Sequence, residues 1–119
     1  MNYKEYISSL NDVEVDGEKT KLIEVAYSGD LPEIVLKIIA NATETIFLDN
    51  DKRILSFKEI INAEKELHVA FKNKGILPLV DCGENDFIVY HFKEGIWSKF
   101  NIIDETVFKK KDNFEELIK

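Results

Sequence analysis

Residues 75–103 read GILPLVDCGENDFIVYHFKEGIWSKFNII. Three apolar runs stand between turn signals. Ile76–Val80 is the first. Pro78 has no amide hydrogen to give a sheet, so this run predicts an edge strand or a strand end. Phe87–Phe92 is the second, apolar on both parities apart from His91. That predicts a central strand covered on both faces. The third, Gly95–Ile103, alternates: Ile96, Ser98, Phe100 and Ile102 share one face, and Trp97, Lys99, Asn101 and Ile103 share the other. Lys93-Glu94-Gly95 joins the last two runs as a tight hairpin.

Upstream, the apolar period changes from two to about 3.6. Asn2–Leu10 places Tyr3, Tyr6, Ile7 and Leu10 on one helical face, and Glu18–Ser28 repeats helix spacing with Leu22, Val25 and Ala26. Gly29 is a natural stop. Asp30 predicts a helix cap, with Pro32 in the first turn. The helix behind it carries Leu31, Ile34, Val35, Ile38, Ile39 and Ala42 as a stripe for the core. Thr45–Leu48 and Arg53–Leu55 read as short strands around the turn Asp49-Asn50-Asp51. Ser56 and Glu59 form a capping box. The spacing behind it predicts one helix to about Lys74, with Phe57, Ile60, Ile61, Leu67 and Phe71 inward. Downstream, Asp112–Lys119 predicts a closing helix with Phe114, Leu117 and Ile118 inward. Helices before and after a run of hairpin-linked strands predict the α+β class, with a twisted, mainly antiparallel sheet and packed helices in a single domain over 1–119.

The chain has 119 residues, 45% hydrophobic and 33% charged, an ordinary globular composition. Its single cysteine, Cys82, has no internal partner and points to a reducing compartment. No apolar run approaches the ~20 residues of a spanning helix. The start Met-Asn-Tyr-Lys-Glu-Tyr has no apolar segment behind a basic one, so the expected location is the cytoplasm. Net charge is −7, and all of the excess lies in residues 1–51, with 11 acids against 4 bases. Such a balance disfavours direct nucleic-acid binding, because phosphate is repelled. It suits either plain solubility or an acidic face that steers a basic partner.

No phosphate-binding glycine loop, dinucleotide fingerprint or nucleophile elbow is present. His68 and His91 have no paired ligands, so no metal or cofactor is expected. Acids beside Cys82 disfavour its thiolate. Asp81 and Asp86 lack a defined pocket and make a poor catalytic pair, so no catalytic residue is assigned. Three features remain as candidate partner contacts. Asp12, Glu14, Asp16 and Glu18 alternate with Val13, Val15 and Gly17. If extended, they project four carboxylates to one side; otherwise they form a solvated loop between helices. Asp81, Glu84 and Asp86 belong either to an acidic loop tip or to an ordinary turn; the spacing does not fit a calcium-binding loop. Trp97, the only tryptophan, is either a half-exposed interface anchor or is covered by a helix or the C-terminal segment.

The order of these features resembles the SUKH superfamily. The residues that carry the likeness are Leu31-Pro32, the strand pair, Ile54-Leu55-Ser56-Phe57-Lys58-Glu59-Ile60, Gly75–Gly83, the hairpin, and Asn113-Phe114-Glu115-Glu116-Leu117. The likeness covers roughly residues 30–118. It implies a single α+β domain without catalytic residues. Bacterial members of this superfamily are largely immunity proteins. The resemblance therefore implies a cytoplasmic protein that binds and neutralises a cognate toxin, commonly a nuclease. The superfamily also includes a fungal cell-wall synthesis regulator, which implies the alternative of a regulatory or scaffold module with an endogenous protein partner.

Overall fold

The computed structural model describes residues 1–119. The stretch 75–103 forms three adjacent strands: β3 (Ile76–Gly83), β4 (Asp86–His91) and β5 (Ile96–Asn101), after β1 (Ile46–Phe47) and β2 (Arg53–Ile54). With β6 (Val107–Lys111) they make a six-stranded antiparallel sheet in sequence order, β1-β2-β3-β4-β5-β6. The fold is α+β. In β4, Phe87 through His91 are all buried, as expected of a central strand.

Pro78 is not in an edge strand. β3 lies between β2 and β4, but β2 pairs with it only at Val80 and Asp81. Along the β3–β4 ladder the register shifts between Pro78 and Val80. The missing amide therefore falls at an irregularity, where a ladder hydrogen bond is least needed. β3 also runs to Gly83. Glu84 and Asn85 turn the chain at φ 53° and 68°, the left-handed values a two-residue type I′ turn requires. β6 has no sequence signal, because Val-Phe-Lys-Lys-Lys shows no apolar alternation and most of the strand is exposed.

The expected helix over 56–74 is three short ones: α4 (Phe57–Ile61), α5 (Ala63–Leu67) and α6 (Phe71–Lys74). The reason is register. Val69 and Phe71 are both buried, yet residues two apart point to different sides of a continuous helix. A break at His68, left-handed at φ 58°, lets both side chains enter the core. Burying each is worth roughly 1.5–3 kcal/mol. The capping box at the head of α4 is present, with Ser56 N–H donating to Glu59 and Glu59 N–H donating to Ser56 Oγ.

Upstream lie α1 (Tyr3–Ser9), a 3-10 turn (Leu10–Asp12), α2 (Gly17–Tyr27) and α3 (Glu33–Asn41). α3 buries Val35, Ile38 and Ile39 as its stripe predicts. Its cap differs from expectation. Pro32 occupies the N-cap position with no side-chain hydrogen bond, and Asp30 does not cap. Instead the Leu31 N–H donates to the Glu24 carboxylate at 2.9 Å. α7 is only Glu115–Ile118, preceded by the buried Phe114.

Trp97 and Phe100 are three residues apart on β5 and so face opposite sides of the sheet. Phe100 meets Phe71 of α6 edge-on at 6.0 Å. Trp97 meets Tyr90 at 5.2 Å and Phe114 at 4.8 Å. The C-terminal segment therefore covers the tryptophan, which is 3% exposed and is core, not a half-exposed anchor. Asn50 Nδ2 donates to the Ile118 carbonyl at 2.9 Å and ties this segment to the β1–β2 turn. Trp97→Ala is expected to cost about 3–5 kcal/mol of folding stability in urea denaturation; a loss below ~1 kcal/mol contradicts this packing.

Candidate partner-binding face

α2 is set by its inner stripe. Lys19, Ile23 and Tyr27 recur at i, i+4 and i+8 and share one face. Ile23 is 1% exposed. Tyr27 stacks on Phe92 at 4.9 Å, with ring planes 13° apart. Gly29 permits that approach, since a Cβ there would lie 2.8 Å from Phe92 Cδ1. Lys19 Nζ donates to the Ile39 and Ala40 carbonyls at 3.3 and 3.4 Å and lies 5.3 Å from the Phe57 ring centre. Those carbonyls belong to the last turn of α3, where the helix dipole favours a cation.

The consequence lies on the other side of α2. Leu22 is 57% exposed, Val25 is 68% exposed, and Ala26 is exposed as well. The stripe that sequence spacing marks on this helix thus faces solvent. These side chains form an open apolar patch along α2, flanked by Glu18 and Lys21. A hollow of about 190 Å³ continues from Leu22 and Ala26 to Ile60, Ile61 and Glu64. Ile61, expected inward, is 43% exposed. A readable signal existed: Leu22, Ile23, Val25, Ala26 and Tyr27 leave α2 apolar around more than one face, which a helix with a single buried side does not need.

Carboxylates gather at the head of this helix, though not as one extended row. Asp12 ends the 3-10 turn, Glu14 lies in the linker, and Glu18 is in the first turn of α2. Asp16 is the N-cap and accepts from the Glu18 and Lys19 amides, both at 3.1 Å. That leaves Asp12, Glu14 and Glu18 exposed to solvent.

The other acidic candidates are largely engaged internally. Asp81 accepts from Arg53 Nη2 at 3.1 Å and from the Gly83 N–H at 2.8 Å. Asp86 accepts from Asn101 Nδ2 at 2.9 Å. Only Glu84, exposed on the turn, has no partner of its own. The segment 81–86 is thus a hairpin with one free carboxylate, not an acidic loop tip.

Arg53 also pairs with Glu59 at 2.6 Å, so one guanidinium joins β2, β3 and α4. Burial works to raise the Glu59 pKa. Hydrogen bonds from Thr45, Arg53 and the Ser56 N–H, together with the Arg53 charge, outweigh it and lower the value to about 2. Burial pushes the Cys82 thiol up, against the pull of Lys99 and Lys52. Burial lowers the pKa of His91, whose Nε2 lies 2.7 Å from Ser98 Oγ. His68 caps α5 on the surface. No three His, Cys, Asp or Glu side chains converge in metal-binding geometry, and no helix is long and apolar enough to cross a membrane.

No family model matches the chain, and neither a curated protein nor a solved structure matches it.

Because the folded-state pKa of Glu59 is depressed, its stabilisation is full above the ordinary value of 4.5 and is lost as pH falls toward about 2. Urea unfolding across that window should show a shallower acid-side loss of stability in Glu59→Gln than in the parent. Identical slopes contradict the clamp.

Proposed function

We propose that the protein is a non-catalytic immunity protein of SUKH type, which binds and neutralises a cognate toxin domain in the cytoplasm of the producing cell. The toxin is basic, and a nuclease fits best, because a surface that holds phosphate must be positive. The observation that carries the reading is the outer face of α2. Leu22, Val25 and Ala26 stand unpartnered beside the free carboxylates of Glu18, Glu14 and Asp12. The likeness to SUKH motifs over residues 30–118 supports the same class.

The two parts of this face do different work. Apolar side chains at the centre of an interface supply most of the affinity once water is excluded. Carboxylates at its rim act over distance, steering a cationic partner and raising the association rate, with little effect on dissociation. Neutralisation follows by occupancy: the bound domain cannot admit its substrate. No step of bond chemistry on this chain is needed. Trp97 has no part in the contact.

The immunity reading expects a toxin gene beside the gene for this protein, and the test uses the C-terminal domain that such a gene encodes. Leu22→Asp with Val25→Asp should weaken binding by at least about thirtyfold, the equivalent of ~2 kcal/mol, and abolish rescue of cells expressing the toxin. Both positions are exposed, so the variant should stay folded, with melting lowered only by the weaker helix propensity of Asp and its repulsion from Glu18. Glu14→Lys with Glu18→Lys should slow association and flatten its salt dependence. Unchanged affinity in the first variant overturns the assignment of the face. Failure of the parent to protect, with recurrent capture of a housekeeping complex instead, overturns the immunity reading in favour of an endogenous regulatory partner.

A further inference from the structure

A second charged feature lies at β6, away from the outer face of α2. Lys109, Lys110 and Lys111 are consecutive in a strand, where neighbours ordinarily point to opposite faces. Here the pairing is irregular. Trp97 is opposite Lys111 and Lys99 is opposite Phe108, so a two-residue step on β5 meets a three-residue step on β6. The extra residue makes a bulge, with Lys109 in the left-handed region at φ 52°. Bulges re-aim side chains. All three lysines border one cleft of about 410 Å³, together with Lys99 of β5 and Lys119 after α7. Glu116 is the only acidic side chain lining it, so the lining side chains sum to +4 in a chain of net −7.

These charges are poorly compensated. Lys110 reaches Glu94 at 3.8 Å and Lys119 reaches Glu116 at 3.4 Å, both across exposed surface. Lys99, Lys109 and Lys111 form no ion pair. Lysines do blunt sheet edges against unwanted pairing. That role asks for charge along the edge strand. It does not ask for convergence on one cleft, and it does not account for Lys99 on an interior strand or Lys119 beyond α7.

We propose that this cleft binds a compact polyphosphate anion, a di- or triphosphate. Ammonium groups are strong point charges that hold phosphate oxygens from several directions. The volume falls within the range of small-molecule sites. Leu117 is the only apolar residue in the lining and no aromatic ring is present. A nucleic-acid strand would find no surface on which to stack a base, which favours a bare phosphate chain. Charges more than ~8 Å away are largely screened at physiological salt, so the cleft's own lysines govern the encounter despite the acidic total.

Calorimetric titration of the whole chain at low salt, with no protein partner present, tests this. Sodium tripolyphosphate should saturate one site with Kd of about 1 mM or tighter, and orthophosphate should bind at least about tenfold more weakly. Lys109→Gln with Lys111→Gln, and separately Lys119→Gln with Lys99→Gln, should each cut tripolyphosphate affinity by about tenfold or more with unaltered circular dichroism. ATP matching tripolyphosphate places recognition in the phosphate chain alone; tighter ATP binding adds a nucleoside contact to the same site. Absence of saturable binding, or variants that bind as well as the parent, overturns the proposal and leaves the lysines as edge protection. A single-stranded oligonucleotide that outcompetes tripolyphosphate overturns it in favour of a nucleic-acid surface.

Discussion

The rotation of α2 about its own axis decides what this molecule shows to its surroundings. Three side chains hold that rotation. Ile23 is buried in the core, Tyr27 stacks on Phe92, and Lys19 reaches the last carbonyls of α3. None of the three could move to the outside cheaply. The ring stack would be lost, the aliphatic side chain would enter water at roughly 1.5–3 kcal/mol, and the end of α3 would lose its cation. With that face turned in, Leu22, Val25 and Ala26 have nowhere to go but out.

The remainder of the core explains why their exposure carries meaning. β4 is buried from Phe87 to His91, and β5 is covered from both sides, by Phe71 against Phe100 and by Phe114 against Trp97. The Arg53 guanidinium, shared between Glu59 and Asp81, binds the short β2 to its neighbours. A contiguous apolar stripe left over beside a fully packed core is more informative than scattered exposed leucines. On the proposed function, the nearby carboxylates select a cationic partner. Asp81 and Asp86, the acids most prominent in the primary structure, are occupied in holding the sheet together.

Much of the architecture was legible because it is local. The hairpin-linked strands of 75–103, the apolar stripe of α3 and the Ser56–Glu59 box each declare themselves within a few residues. What failed to show depends on contacts far apart in the chain. β6 has no apolar alternation, since an edge strand rich in lysine buries little. The helix over 56–74 breaks because Val69 and Phe71 compete for the same core, a conflict resolved only in three dimensions. Arg53 and Asp81, 28 positions apart, meet only once β2 pairs with β3. For α2 the spacing marks Leu22-Val25-Ala26, yet the structure turns Ile23 and Tyr27 inward and leaves the marked stripe in solvent. The lysine at position 19 reads as a solvent residue, yet its bonds to α3 help to set which stripe turns inward.

Hydrogen–deuterium exchange of the chain alone and mixed with the proposed toxin domain tests the central claim most directly. The prediction is added protection across Gly17–Tyr27 and the adjoining Asp12–Asp16 segment, with β6 and α7 unchanged. Protection confined to β6 and α7, with α2 exchanging as in the free protein, would contradict it.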